Sequence, residues 1–295
     1  MECPHHFSPF ELTCRGTKVR FPRPAVMGIL NVTPDSFYDG GHYLTPSAIE
    51  AHARELLDEG ADIIDIGAVS SRPGAQLLPP DVEAERLVPV VKLLRQVLPP
   101  QTLLSVDTCY SLPAYKAVEA GADIINDISG GQFDPQMFST VASLKVPYIL
   151  MHTRGTPDTM QLPSNTQYDN IILDLTRYFT DRLDQLAQLG VKEVCLDPGF
   201  GFAKTLQQNH QLLHRLPELI AQFPDYPFLI ALSNKSMITK VLETADAPSS
   251  ALPDSELGTL VLNTVALQAG ASILRVHSPH PTRLAIKLLS SVLIR

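Results

Sequence analysis

Short apolar runs rich in β-branched residues recur along the chain, and they are nearly continuous rather than alternating with polar residues. Continuous runs of this kind are typical of parallel strands that are covered on both faces. Between the runs, apolar residues return every three or four positions, which is the spacing of amphipathic helices. The pattern predicts eight strands, over residues 25–32, 61–67, 102–107, 122–128, 146–152, 193–199, 227–233 and 271–277.

The regular alternation of strand and helix favours a single-domain α/β fold, a (β/α)₈ TIM barrel over residues 25–295. Residues 1–24 precede the first barrel strand, and we expect this N-terminal extension to form a small hairpin that covers the barrel's bottom. An open doubly wound sheet of six or seven strands is the alternative. It is disfavoured because no Gly-rich dinucleotide-binding fingerprint follows the first strand.

Composition and charge narrow the class of protein. The 295 residues are 44% hydrophobic, enough for a large core, and the net charge of −8 argues against nucleic acid as a partner. No apolar run approaches the roughly 20 residues of a membrane helix, and no signal peptide is evident. The four cysteines are scattered, which predicts no disulfide framework and favours a reducing cytoplasm: Cys3, Cys14, Cys109 and Cys195.

Polar or charged residues end each of the predicted strands. In (β/α)₈ barrels the active site lies at the carboxyl ends of the strands, so these side chains are expected to converge on one rim. A single polar strand end is more often a satisfied terminus than a ligand contact, whereas a full ring of them predicts a polar pocket. The ring comprises Asn31, Asp65, Asp107, Asn126 with Asp127, His152, Asp197, Ser233 to Lys235, and Arg275 with His277.

The residue types in this ring indicate two kinds of ligand group. Asp107, Asn126 and Asp197 combine donors and acceptors suited to the edge of a planar heterocycle with amino, ring N–H and carbonyl groups. Lys235, Arg275 and Arg72 supply positive charge, and arginine can bind phosphate through two hydrogen bonds. We therefore expect a flat polar ring at one end of the pocket and an anion at the other.

Three loops after predicted strands are long and rich in Gly, Pro, Ser and Thr: residues 33–46, 68–81 and 153–165. Loops of this length are usually functional lids or disordered segments. The first two carry Asp35, Asp39, Ser71 and Arg72, which favours lids.

The stretch "LDPGFGFAKT" at 196–205 places an acid, two glycines and two phenylalanines directly after a strand. Asp197 would face the heterocycle, the glycines would allow a tight turn, and Phe202 would wall an aromatic substrate. A core phenylalanine after an ordinary turn is the alternative for Phe202.

Together the motifs resemble the dihydropteroate synthase family. The matching segments span residues 27–277 in the family's order: "MGILNVTPDSFYDGG", "DIIDIGAVSSRPGA", "SVDT", "INDISGG", "LMHTRGTP", "LDPGFGFAKT", "SNKS" and "RVH". The resemblance implies a cytoplasmic transferase of folate biosynthesis. The resemblance further implies that this enzyme would join p-aminobenzoate to 7,8-dihydropterin-6-ylmethyl diphosphate by an SN1-like path with Mg²⁺-assisted departure of diphosphate.

The resemblance also implies roles for individual residues. The pterin would be held by Asp107, Asn126, Asp197, Phe202, Lys235 and Arg275. The p-aminobenzoate site would comprise Ser71, Arg72, Pro73, Phe202, Lys235 and Ser236. The diphosphate would contact Asn31, Asp39, Arg72, Arg275 and His277, with Asn31 also reaching Mg²⁺. The catalytic set would be Asp107, Asp197, Lys235, Arg275 and His277, in a homodimer packed through helices near the C-terminus.

Two segments depart from the family pattern. Asn234 stands where the family usually has Arg, Val69 stands where Glu is common, and Ser71 replaces the common Thr. The exchange at Asn234 removes a fixed charge beside the pocket. Two alternatives therefore stay open: a catalytically weak pterin-binding homologue, and a methyltetrahydrofolate–corrinoid methyltransferase, which uses a similar barrel but would not need the "NVTPDSF" and "SRPG" loops.

Overall fold

Eight parallel strands wind around a common axis in the computed structural model, which describes residues 7–32, 45–69, 74–242 and 254–293. The strands of the molecule are β1 Phe10–Cys14, β2 Thr17–Phe21, β3 Ala25–Asn31, β4 Ile63–Gly67, β5 Leu103–Asp107, β6 Ile124–Asp127, β7 Tyr148–Met151, β8 Val194–Asp197, β9 Leu229–Ile230 and β10 Ile273–Val276. The helices are α1 Pro46–Asp58, α2 Pro80–Val97, α3 Ser111–Glu119, α4 Met137–Leu144, α5 Ile171–Gln188, α6 Leu206–His214, α7 Leu216–Ile220, α8 Ser236–Leu242, α9 Asp254–Gln268 and α10 Pro279–Leu293.

The sheet closes on itself. Its order is β8-β7-β6-β5-β4-β3-β10-β9, and a parallel bridge between Leu196 and Phe228 joins the two ends. Consecutive strands are neighbours with helices between them, which confirms the (β/α)₈ barrel. The open-sheet alternative is wrong. Strand β9 is shorter than predicted, because the chain turns at the end of this run, where the backbone N–H of Lys235 donates to the carbonyl of Leu232.

Side chains alternate between the two faces of each strand. On β5, Leu104 and Val106 pack outward into the large core shared with the helices, whereas Leu103 belongs to a separate cluster inside the barrel. Asp107 has the same parity as Leu103, so the strand aims it inward at its carboxyl end. This period of two explains how continuous hydrophobic strands still deliver polar groups to one pocket.

An N-terminal hairpin lies against the opposite end of the barrel. Strands β1 and β2 pair in antiparallel fashion, and Leu12, Cys14 and Phe21 share a buried cluster with inward-facing strand residues. Those residues are Ala25, Met27, Ile63, Leu103, Ile124, Ile149, Cys195, Leu229 and Ile273, together with Ala231, which directly follows β9. The lower part of the barrel is therefore filled with apolar side chains, and the polar pocket is confined to the carboxyl ends. Among the described helices, none has both the length and the apolar character needed to cross a membrane.

Candidate active site

Arg275, on β10, is the centre of a charged cluster inside the barrel. Its Nε donates to Asp65 Oδ2 at 2.6 Å and its Nη2 donates to Asp107 Oδ2 at 2.9 Å. Asn126, on β6, donates from Nδ2 to the same Asp65 oxygen at 3.0 Å. The structure thus joins three of the predicted pterin residues in one network: Asp65 links Arg275 to Asn126, and Arg275 also binds Asp107. The sequence did not reveal the partner of Asp65.

The cluster contains more carboxyl groups than positive charges, since the single guanidinium group of Arg275 contacts both Asp65 and Asp107. Burial raises the pKa of Asp107 to about 7, Arg275 opposes this shift, and the negative charges of Asp65, Glu83 and Asp127 add to it. Oδ1 of Asp65 is buried and has no hydrogen-bond partner among the described residues. A pocket in which carboxylate acceptors exceed the donors is suited to a ligand that brings its own N–H groups.

Asp197 is the last residue of β8. The segment that follows it, residues 198–205, is here called the β8–α6 turn. The backbone N–H of Gly199 donates to Asp197 Oδ1 at 2.8 Å, and burial raises the pKa of this carboxyl. Gly199 has φ of 69°, and a Cβ there would lie 2.0 Å from the carbonyl oxygen of His152. Only glycine can therefore occupy this position, which explains one of the two glycines in the motif.

Lys235 reaches the β8–α6 turn from the segment between β9 and α8. Its Nζ donates to the carbonyl of Phe200 and lies 5.0 Å from the centroid of the Phe202 ring. Burial lowers the pKa of Lys235 to about 8, although the charge of Asp197 opposes this shift. The structure therefore brings together Lys235, Asp197 and Phe202, and Phe202 is half-buried at the turn rather than in the core.

His277 follows β10 and faces the short segment after β9. Its backbone N–H donates to Ser233 Oγ at 3.3 Å, and Ser233 Oγ lies 2.9 Å from His277 Nδ1. The side-chain nitrogen of Asn234 lies 3.5 Å from the same ring nitrogen. Asn234 is exposed and has φ of 55°, a left-handed conformation that Asn tolerates better than most residues.

Asn31 ends β3 on the same rim. A Cβ at Gly67, on the neighbouring strand, would lie 3.4 Å from Asn31 Oδ1 and 3.7 Å from Asp107 Cβ. Asn31 and Asp107 therefore both lie close to Gly67, which has no side chain to separate them. No group of three or more His, Cys, Asp or Glu side chains arranged for a metal occurs within the described ranges.

Four predicted site residues lie outside the described residues: Asp39, Ser71, Arg72 and Pro73. Ser236 is exposed as the first residue of α8, next to Lys235.

The sequence reasoning missed two buried ionisable residues near the site. Glu83, on α2, is buried and lines a small cavity with Asp107, Thr108 and Cys109. Burial raises the pKa of Glu83 to about 7, and a hydrogen bond from Thr108 opposes the shift. Lys204, within the motif at 196–205, is buried as well. The spacing of Glu83 from Leu87 and Val90 on the apolar face of α2 is a signal that could have revealed it.

Comparison with known proteins agrees with this geometry. The family of pterin binding enzymes matches residues 27–277, which contain every described residue of the site. A dihydropteroate synthase from Synechocystis is 43% identical over 258 residues, covering 86% of this chain and 85% of that protein. The chain belongs to the dihydropteroate synthases.

Other members of the family are similar over nearly the whole chain. The dihydropteroate synthase of Escherichia coli K12 is 37% identical over 96% of both chains. A Yersinia pestis dihydropteroate synthase structure with a sulfonamide drug complex has a TM-score of 0.85 at 36% identity, covering 96% of this chain and 98% of that one. A Xanthomonas albilineans structure with 4-aminobenzoic acid has a TM-score of 0.84 at 36% identity, covering 97% and 99%.

These relatives identify the activity of the chain. The chain is a transferase of folate biosynthesis with dihydropteroate synthase activity, acting on small-molecule substrates. Family membership removes the corrinoid methyltransferase alternative.

Proposed function

We propose that the carboxyl-end rim of the barrel joins p-aminobenzoate to 7,8-dihydropterin-6-ylmethyl diphosphate, giving 7,8-dihydropteroate and pyrophosphate. The observation that carries this proposal is the buried cluster in which Arg275 bridges Asp65 and Asp107 beside Asn126. It supplies a set of acceptors with one amide, which complements a pterin edge rich in N–H donors. A Xanthomonas albilineans relative, 34% identical, is described in complex with 7,8-dihydropteroate.

The pterin lies across the mouth of this cluster. Asp107 and Asp197, on β5 and β8, bind its N–H groups from different sides, and Asn126 offers both a donor and an acceptor. Lys235 and Arg275 sit beside these acids, and Arg275 lies over the ring with its charge toward the diphosphate. Phe202 borders the ring's exposed edge.

The p-aminobenzoate site lies at the β8–α6 turn. Phe202 forms its apolar wall, and the ammonium of Lys235, 5.0 Å from that ring, faces the carboxylate end together with the exposed hydroxyl of Ser236. Ser71, Arg72 and Pro73 complete the site in this proposal.

The diphosphate is bound by Asn31, Arg275 and His277, with Asp39 and Arg72 in the same proposal. Asn31 Oδ1 is a hard oxygen donor at the rim, and Mg²⁺ is commonly bound by one or two protein oxygens together with substrate phosphates rather than by a full protein cage. Asn31 would therefore hold Mg²⁺ through Oδ1, with phosphate oxygens and water as the other ligands. When bound, Mg²⁺ supplies positive charge that stabilises the leaving diphosphate.

The chemistry is substitution at the methylene carbon. The C–O bond to diphosphate breaks, the electron-rich pterin stabilises the positive methylene, and the amine nitrogen of p-aminobenzoate then forms the C–N bond. Asp107 and Asp197 stabilise the cationic pterin, while Arg275 and His277 stabilise the departing diphosphate. Each such group can contribute roughly 3 kcal/mol because its interaction strengthens as charge develops. The amine nitrogen then carries an extra proton, which it loses to water, so the step requires no dedicated base.

The active form is a homodimer in this proposal, with α9 and α10 at its interface. These adjacent helices expose apolar side chains at successive turns: Val261, Val265, Leu284, Leu288 and Val292. Several exposed apolar side chains on two adjacent helices are typical of a protein–protein interface.

The enzyme works in the cytoplasm. The described cysteines Cys14, Cys109 and Cys195 are buried free thiols, which suits a reducing compartment.

The test is release of pyrophosphate. Purified protein given the pterin diphosphate, p-aminobenzoate and Mg²⁺ should release pyrophosphate and form 7,8-dihydropteroate in equal amounts. Omission of p-aminobenzoate should suppress dihydropteroate formation entirely. Pterin binding without any turnover would contradict the proposal and favour the catalytically weak homologue.

A further inference from the structure

Lys204 is a buried lysine whose ammonium group is fully satisfied within the protein. Its Nζ lies 3.0 Å from three acceptors: the carbonyl oxygens of Gly199 and Phe202 and the Nδ1 of His152. Burial lowers the pKa of Lys204, and the charge of Asp197 opposes this shift. A protonated lysine has three N–H donors, which these three acceptors match one to one. The family's reaction as proposed above uses neither Lys204 nor His152.

Two of these bonds hold the β8–α6 turn in its own shape, and the third joins the turn to the end of strand β7. Gly199 and Phe202 lie in the turn, while His152 directly follows β7. The turn has little regular structure of its own, since Gly199, Gly201 and Ala203 all have left-handed backbones. Asn209 adds two anchors, accepting from the backbone N–H of Gly201 and donating to the carbonyl of Lys204.

His152 is itself held in place. It is buried, and its ring makes an edge contact with Tyr178, with ring centroids 4.8 Å apart. Burial and the neighbouring charges of Lys204 and Arg154 lower the pKa of His152, so the neutral ring can accept from Lys204 through Nδ1. The orientation of the ring thus fixes the direction in which Lys204 extends.

We propose that Lys204 and His152 are positioning residues for the amine substrate: they hold the carbonyl of Phe202, and thereby its ring, at the p-aminobenzoate site. The inference rests on the proposed placement of p-aminobenzoate against Phe202. Asp197 accepts from the N–H of Gly199, which Lys204 also contacts, but its backbone is fixed in addition by the pairing of strand β8 with β7. Loss of the Lys204 bonds should therefore affect p-aminobenzoate more than the pterin.

A matched pair of substitutions at His152 tests this inference. An asparagine amide reaches the position of a histidine Nδ1, whereas a glutamine amide reaches that of Nε2. His152→Asn retains an acceptor for Lys204, and we expect both KM values to stay within about threefold of wild type. His152→Gln should raise KM for p-aminobenzoate at least tenfold, while KM for the pterin diphosphate changes less than about threefold. Lys204→Met should raise KM for p-aminobenzoate as much, but it also removes a positive charge that acts on Asp197, so its pterin KM does not decide the question.

Two outcomes overturn the inference: equal rises in both KM values, or an unchanged p-aminobenzoate KM in His152→Gln. A purely structural role would lower the melting temperature without separating the two substrates. If Lys204→Met does not fold, the two His152 variants decide the question.

Phe202→Ala separates this inference from the proposed function. This substitution by itself, with Lys204 and His152 unchanged, should raise KM for p-aminobenzoate. If it does and the His152→Gln variant does not, the positioning role is wrong but the substrate site stands. If Phe202→Ala has no effect while wild type turns over, the placement of p-aminobenzoate is wrong, and the positioning role fails with it.

Discussion

Arg275 donates from Nη2 to Oδ2 of Asp107 at 2.9 Å, so two residues assigned to the pterin site are already paired with each other in the free protein. The pairing gives the buried carboxylate a partner before any substrate arrives. It does not return the carboxyl to ordinary acidity, since burial still raises the pKa of Asp107 to about 7. The protonation state of this acid is therefore sensitive to conditions near neutrality.

Activity should depend on pH with two limbs. Asp107 must be ionised to accept pterin N–H groups, so kcat/KM for the pterin diphosphate should fall as the pH drops through about 7. Lys235 must be protonated, and its pKa is lowered to about 8, so the rate should fall again above that pH. A plot of kcat/KM for the pterin diphosphate between pH 5.5 and 9.5 should be bell-shaped. A flat acidic limb would contradict the role of Asp107.

Glu83 should set the position of the acidic limb. The negative charge of Glu83 is one of the causes that raise the pKa of Asp107. Glu83→Gln keeps the shape and an acceptor for Thr108 but removes the charge, so the acidic limb should move to lower pH. Glu85→Gln, at an exposed position on the same helix, is the control and should leave the profile unchanged. A limb that stays in place in Glu83→Gln would show that this charge does not act on Asp107.

Asp197 has two functions that substitutions can separate. Asp197→Asn keeps an oxygen that can accept from the N–H of Gly199, whereas Asp197→Ala removes it. Both should weaken pterin binding at least a hundredfold (about 2.7 kcal/mol), because both remove the charge. Asp197→Ala alone should also lower the unfolding free energy, by about 1 kcal/mol for the lost hydrogen bond. Calorimetric titration and denaturant unfolding measure the two effects, and unchanged pterin affinity in Asp197→Asn would refute the assignment.

Asn31 should determine how much Mg²⁺ the enzyme needs. Asn31→Ala removes the amide oxygen proposed to bind the metal, and we expect a rise of about tenfold in the Mg²⁺ concentration that gives half-maximal rate. Asn31→Asp keeps an oxygen at that position and should lower the requirement. Identical Mg²⁺ dependence in wild type and both variants would place the metal elsewhere.

Asn234→Arg restores the residue that the family usually has. The left-handed backbone, with φ of 55°, disfavours arginine relative to asparagine, so the unfolding free energy should fall by about 1 kcal/mol. Asn234→Gly is the conformational control and should not incur this cost. Because the side chain is exposed, either KM should change tenfold or less. A hundredfold change would make Asn234 a primary site residue.

The proposed dimer can be broken at one side chain. Leu288, on α10, is 67% exposed, and Leu288→Glu would place a charge among the exposed apolar side chains of α9 and α10. Sedimentation equilibrium should show wild type as a dimer and this variant with a dissociation constant raised at least a hundredfold. Leu173→Glu, at an exposed leucine of α5, is the matched control. A monomeric wild type would contradict the proposal.

The barrel and its polar rim could be predicted because both follow from local pattern. Continuous apolar runs marked the strands, and the last residues of those runs fell on one rim once the strands were parallel. The partner of Arg275 could not be predicted in this way. Asp65 and Arg275 lie 210 positions apart, and their contact depends on how β4 and β10 are placed around the closed barrel.

Lys204 shows a second limit of the sequence. A lysine in a turn is normally expected to reach solvent, and nothing near it in the chain indicates burial. Its partner His152 lies 52 positions earlier, on a different strand end. Only the packing of β7 against β8 brings the two together.

The division of the barrel into an apolar lower layer and a polar rim affects how this protein can change during evolution. Met27 and Ile63 share a buried cluster with the hairpin residues, whereas Asn31 and Asp65 belong to the same two strands and reach the pocket. Foldability and ligand preference are thus encoded at separate positions of one element. In a saturation library, side-chain volume will determine which substitutions are tolerated at the lower positions. Charge and hydrogen-bonding capacity will determine which substitutions are tolerated at the rim. New ligand preferences can therefore arise at the rim while the chain keeps its capacity to fold.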